Sequence, residues 1–224
     1  MKKTVFFSLC LGFLIFTACS KLDVVGDGAE KSFARLLDLY PQLVSMDDHQ
    51  NGWAFSSPDA SAKFIWSKNW AESPFYDVAI ELDAKPFIAA GLDVKKLPAE
   101  YFYYNGKILI GTKLGTQNIK YKGAPTPLAS FEEIVKLSRA NIGYDEALEH
   151  YGVDLGAGNL FEWAKDSGAN DKDILFVLDP DPFLDAGVDP TNIDGWAFAR
   201  VVIEDEDGRT IEVEKILKAV NLNS

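Results

Sequence analysis

The chain has 224 residues, with 34 Asp and Glu against 22 Lys and Arg and a formal net charge of −12. Such a surface repels nucleic-acid phosphates and anionic headgroups. Two cysteines and two histidines leave a disulfide scaffold or a His-rich metal centre with too few ligands, and no Gly-x-Ser-x-Gly elbow, Gly-Lys-Ser/Thr phosphate loop or Cys-x-x-Cys pair occurs.

Met1-Lys2-Lys3 opens the chain, an apolar run from Val5 to Ile15 follows, and Phe16-Thr17-Ala18-Cys19 closes it. This is the order of a charged n-region, an apolar h-region and a small-residue exit. The stretch from Thr4 to Ala18 is shorter than the roughly 20 residues needed to cross about 30 Å of hydrocarbon, so a leader is expected rather than a permanent span. Its last four residues resemble the lipobox of bacterial lipoproteins, with Phe16 standing where Leu is usual. The resemblance implies cleavage between Ala18 and Cys19, a thioether-linked diacylglycerol on Cys19, and acylation of the new N-terminus. Two or three acyl chains make a durable anchor, since each buried methylene contributes about 0.8 kcal/mol. The mature chain is then held on the extracytoplasmic side of a bacterial membrane, in the periplasm or at the cell surface. It keeps Cys19 as its only cysteine, and its net charge becomes −14.

Residues 1–18 thus read as leader and 19–30, polar and containing Gly26 and Gly28, as a tether. Beyond them lies an internal repeat. The segment from Leu82 to Asp93 aligns without a gap on Leu178 to Asp189, with seven of twelve residues identical. Upstream, Phe64-Ile65-Trp66 echoes Phe161-Glu162-Trp163 at nearly the same offset. In each copy an apolar run predicts a buried strand. Asp83 or Asp179 then caps a short helix opened by the Pro-Phe pair and stopped at Gly91 or Gly187.

Each copy opens with a helix. In the first, Phe33, Leu36, Leu37 and Tyr40 share a face ahead of Pro41; in the second, Ser130 to Glu133 reads as a capping box before Ile134 and Leu137. A further short helix is expected over Tyr144 to Tyr151, with His150 capping its end. Each copy closes with a hairpin, Tyr101–Tyr104 turning at Asn105-Gly106 and Gly195–Ile203 turning near Asp207-Gly208. The expected fold is therefore α+β: two tandem related units, 31–118 and 124–222, each a helix plus about four antiparallel strands, whose sheets can join edge to edge into one continuous sheet. At fold level alone, this arrangement resembles secreted bacterial inhibitors of extracellular enzymes. No residue motif carries that likeness, so no function follows from it.

No catalytic residue, metal ligand set or cofactor loop is assigned. The Asp47-Asp48-His49 and Asp205-Glu206-Asp207-Gly208 clusters read as polar loops, and Gly152 to Asn159 as a connection. Trp66 and Trp163 match across the repeat and read as core. Trp53, Trp70, Tyr101, Tyr103 and Trp196 are the candidate recognition surface, because aromatics with a polar handle suit protein and sugar contacts. On a strand, one of the pairs Tyr101/Tyr103 and Phe102/Tyr104 is expected in the core and the other exposed. The preferred function is a lipid-anchored, non-enzymatic binding module for a protein or glycan, with no nucleic-acid partner. The alternatives are an envelope hydrolase using paired carboxylates and a carrier of a small apolar ligand.

Overall fold

The computed structural model describes residues 9–11, 19–48, 51–67, 76–114, 126–168, 172–204 and 210–222. Helix α1 (Cys19–Leu39) precedes strands β2 (Val44–Asp47), β3 (Gly52–Ser56), β4 (Ala62–Ser67) and β5 (Val78–Asp83). Helix α2 (Lys85–Ala89), β6 (Tyr101–Tyr104) and β7 (Lys107–Thr112) complete the first unit. The second unit repeats this order with α3 (Pro127–Leu137), β8 (Ile142–Asp145), β9 (His150–Asp154), β10 (Leu160–Ala164), β11 (Ile174–Leu178), α4 (Asp181–Asp185), β12 (Ala197–Glu204) and β13 (Thr210–Val220). The first sheet runs β2-β3-β4-β5-β7-β6 and the second β8-β9-β10-β11-β13-β12, the same topology twice. All these pairings are antiparallel. A short strand β1 (Leu9–Leu11) lies parallel to Val201–Ile203 outside β12.

The α+β class and the two related sheet units agree with the sequence, but three expectations change. First, each unit has six strands rather than four, and the Pro-Phe helix falls between the fourth and fifth. Second, Tyr144–Tyr151 is not helical: it is β8, a turn and the start of β9. Asp145 Oδ1 accepts the N–H groups of Ala147 and Leu148 at 2.8 and 3.0 Å and Glu149 takes a positive φ of 53°, so a side chain that bonds its own backbone overrides the helical propensity of the intervening residues. Third, the sheets do not join edge to edge, because their inner faces meet across a shared core.

Helix starts also differ from expectation. Thr126, not Ser130, caps α3, accepting from Ala129 N–H at 3.2 Å with Pro127 in the first turn. Helix α1 reaches back to Cys19, so the segment read as a tether is helical. The expected turn at Asp207-Gly208 lies outside the described residues.

The core is built by reciprocal contacts between units. Phe33 of α1 stacks on Phe131 of α3 at 3.7 Å, Phe64 on Phe161 at 4.4 Å, and Phe87 on Phe183 at 4.9 Å. Ser32 Oγ of α1 donates to Ala164 O at the end of β10, while its counterpart Ser130 Oγ donates to Ser67 O at the end of β4. Asp93 N–H reaches Ala186 O at 2.9 Å, and Asp189 N–H reaches Ala90 O at 2.8 Å. Each bond has a mate made by the equivalent atoms, so an approximate two-fold axis relates the units. Phe33, Phe64, Trp66, Phe131, Phe161 and Trp163 are all fully buried around it.

The repeated aspartates serve the backbone. Asp83 Oδ1 accepts from Lys85 N–H and Asp179 Oδ1 from Asp181 N–H, while Asp93 and Asp189 cap the next turn by accepting from Lys95 and Thr191. Asp77 and Asp173, just ahead of β5 and β11, are fully buried. They accept from Leu114 and Leu222 N–H at 2.8 and 2.7 Å, holding the end of each unit's last long strand.

At the axis, Gly91 has φ +109°, and a Cβ there would stand 2.6 Å from Gly187 O. Gly106 also has positive φ but has nothing within 4 Å of that position. Gly91→Ala is expected to destabilise by roughly 2–4 kcal/mol, from the strained backbone well together with overpacking. Gly106→Ala is expected to cost about 1–2 kcal/mol, from the backbone alone. Equilibrium urea unfolding of the two variants side by side checks this, and equal losses would refute the two-fold contact.

Candidate functional site

Alternation along the strands places every second residue on the outer face of its sheet, and the repeat allows the two outer faces to be compared position by position. Across the first sheet the register Ser56-Lys63-Glu81-Leu109-Phe102 forms one row. The equivalent row of the second sheet is Asp154-Leu160-Val177-Leu217-Ala197. One turn along the edge strand, Tyr104 in β6 corresponds to Ala199 in β12. At Lys63, Glu81, Phe102 and Tyr104 the first sheet therefore carries ions and aromatics where the second carries Leu160, Val177, Ala197 and Ala199.

On the first sheet, Lys63 Nζ lies 2.6 Å from Asp47 Oδ2 and 3.1 Å from Glu81 Oε1, and Tyr104 Oη donates to Glu81 Oε2. Burial pulls the Lys63 ammonium towards its neutral form, but the bond to Asp47 and the charge of Glu81 outweigh this and hold its pKa above the usual lysine value. Burial, and then the bond to Glu81, push the Tyr104 phenol up, so it stays a donor. Beside this network Phe102 and Tyr104 lie 5.6 Å apart with nearly parallel rings. Phe102 is 50% exposed and Tyr103, on the opposite face of the strand, 38%.

The sequence-based candidates do not converge on one surface. Cys19 begins α1. Trp53 sits on the inner face of β3 opposite Trp66 and packs against the core. Trp70 lies outside the described residues. Tyr101 is buried, and Asn159 Nδ2 of the other unit donates to its hydroxyl at 3.1 Å. Trp196, half buried, packs edge-on against Phe87, with the Lys218 ammonium 5.9 Å above its ring. Tyr101 and Trp196 hold equivalent positions, and their contacts cross the axis: Tyr101 meets Phe183 of the second unit, Trp196 meets Phe87 of the first. Trp53 likewise corresponds to Tyr151, which faces Trp163. Of the five, only Tyr103 is an exposed aromatic among the described residues. The expected split of β6 into a core pair and an exposed pair also fails: Tyr101 is inside, but Tyr103 on the same face emerges at the hairpin end. The signal that finds Phe102 and Tyr104 is the alignment of Tyr101-Phe102-Tyr103-Tyr104 on Trp196-Ala197-Phe198-Ala199, which the hairpin register supplies.

Two shallow clefts flank the axis, each between the turn after the second strand of one unit and the last strand of the other. One, of about 190 Å³, includes Tyr101, Thr112 and Asn159. Its mate, of about 260 Å³, includes Asp59 and Lys218, which pair at 2.8 Å. In each cleft one pair bonds across the units, Tyr101 with Asn159 and Lys218 with Asp59, so the clefts read as clasps.

The second sheet hides an acid–imidazole cluster around His150, the residue that the sequence reading places at a helix end. His150 Nδ1 lies 3.7 Å from Glu162 Oε2, and Asp145 faces His150 across the β8–β9 pair. All three are buried, His150 to 1% exposure. The counterparts in the first unit are Asp47, Gly52 and Ile65, so the fold itself does not require the pair. The imidazole is sealed from solvent. Among the described residues no group of three or more His, Cys, Asp or Glu could hold a metal ion, and no helix is long and apolar enough to cross a membrane.

Burial lifts the Glu162 carboxyl above the usual glutamate range, with His150 partly opposing, and burial also lifts Asp145. A carboxyl raised in the folded state favours folding while protonated, and that contribution is lost as pH rises from the ordinary glutamate range through the higher folded value. Glu162→Gln is therefore expected to melt a few degrees above wild type at pH 8, roughly what 1 kcal/mol is worth in a domain this size. The two should converge below about pH 4, near the ordinary glutamate value. Calorimetry across that range checks the sign. No model of a known protein family matches this chain, and neither the curated proteins nor the solved structures contain a match.

Proposed function

We propose that the chain is a lipid-anchored, extracytoplasmic binding module without enzymatic activity, carried on acylated Cys19 and recognising its partner with the aromatic edge of the first sheet. The leader and its Phe16-Thr17-Ala18-Cys19 ending support the anchor. Helix α1, which starts at Cys19 and enters the core from Gly26 onward, would link lipid and globule with a short helical stem.

The observation that carries the recognition reading is Phe102, half exposed on β6, where the second copy of the same strand folds with Ala197. This half-exposed ring, stacked on Tyr104, gives the first sheet an aromatic outer edge that the second sheet lacks, and it supports recognition there. Tyr104 stacks beside it on the same face, and Tyr103 is exposed on the other face of the strand.

Two outcomes are expected. Cells expressing the chain and given an alkyne-tagged palmitate should label the wild type and leave Cys19→Ser unlabelled; equal labelling would end the lipoprotein assignment. A photo-crosslinking residue at position 102 or 103 should give discrete adducts in intact cells and the same residue at exposed Lys165 should not. Adducts equal at all three positions, or at none, would remove this surface from consideration. The variant Phe102→Ala should stay within about 0.5 kcal/mol of wild type, since Ala197 occupies that place in the second unit.

A further inference from the structure

We infer that the open edge of β6 is a strand-addition site, where an extended, apolar-rich segment of a partner protein pairs with the main chain of Tyr103 and covers Phe102 and Tyr103 on its two faces. The inference rests on the recognition surface proposed above and supplies its partner class.

The hairpin geometry frees the necessary main-chain groups. The two-residue turn Asn105-Gly106, with φ of +45° and +78°, closes on the pair Tyr104 and Lys107. Alternation along the ladder then points the N–H and C=O of Tyr103 away from β7. Tyr101, two residues back and in the same phase, confirms the direction by sending its N–H to Pro98 O at 2.9 Å rather than into the ladder. Among the described residues no strand lies beyond β6.

The side chains select the mode. A sugar ring or a flat protein face covers one side of a strand, whereas the exposed rings here lie on both sides, Phe102 outward and Tyr103 inward. An added strand extends both faces of a sheet at once, so it is the partner shape that removes both rings from water. With four residues in β6, few main-chain bonds are on offer. Affinity then rests mainly on the aromatic contacts, and binding should be reversible and modest.

The test is a displayed library of random decapeptides selected on the full chain in detergent micelles. Counter-selection uses Tyr103→Pro, which removes the outward N–H and no ladder bond, and separately Tyr103→Lys, which places a charge on the edge should the proline variant fold poorly. Enriched peptides should carry apolar residues at alternate positions and no proline. Synthetic copies should bind wild type at least tenfold more tightly than either variant and slow hydrogen exchange at the Tyr103 amide. No enrichment, helical spacing in the enriched peptides, or binding that survives both variants would overturn strand addition. Binding lost in Phe102→Ala but kept in Tyr103→Pro and Tyr103→Lys would overturn it while leaving the aromatic surface in place. Peptide-free dimerisation abolished by both Tyr103 variants would assign the edge to a second copy and overturn the peptide partner.

Discussion

The rest of the structure depends on the exchange of contacts across the approximate two-fold axis. Ser32 on the first helix is satisfied by a carbonyl of the second sheet, Ser130 on the other helix by a carbonyl of the first, and the rings Phe33, Phe131, Phe64 and Phe161 stack on their own counterparts. A single unit would leave these rings and the inner face of its sheet in water. Burying such a face is the main favourable term in folding, so the duplication is energetically a pair from the outset. Gly91 and Gly187 sit where the exchange is tightest, because their carbonyls approach where a side chain would otherwise stand.

A fold made twice from one plan also contains its own control. Positions at which the copies agree, such as Trp66 and Trp163 or the buried aspartates Asp77 and Asp173, are those the architecture needs. Positions at which they differ are free for other uses. The outer faces differ most: Lys63, Glu81, Phe102 and Tyr104 on one sheet stand against Leu160, Val177, Ala197 and Ala199 on the other. The second sheet departs in the opposite sense where His150 and Glu162 stand in place of Gly52 and Ile65. Both sheets bury their carboxylates, Glu81 on one and Glu162 on the other, and the outward difference is the half-exposed Phe102 against Ala197.

The acidity of the chain also acquires a physical role at this level. Asp93 and Asp189 cap short helical turns, Asp83 and Asp179 stand one residue before the N-caps Ala84 and Pro180 and hold the first amide of each Pro-Phe helix, and Asp77 and Asp173 tie down strand ends. Each of these carboxylates accepts a backbone N–H group.

Much of this was legible in the residues alone. The repeat at Leu82–Asp93 and Leu178–Asp189, the helix face of Phe33, Leu36, Leu37 and Tyr40, the Asn-Gly turn and the capping aspartates are local signals, set by turn chemistry and periodicity within a few residues. The β2–β3 and β8–β9 hairpins were not legible, since their strands are four or five residues long and the turn between β8 and β9 is made by Asp145 bonding its own backbone within a segment of helical propensity. Nor could the recognition candidates be sorted: whether Tyr101 or Phe102 faces water depends on which side of β6 the other unit covers. That choice belongs to the packing of two sheets against each other, an interaction between residues some hundred positions apart, and only the tertiary structure decides it.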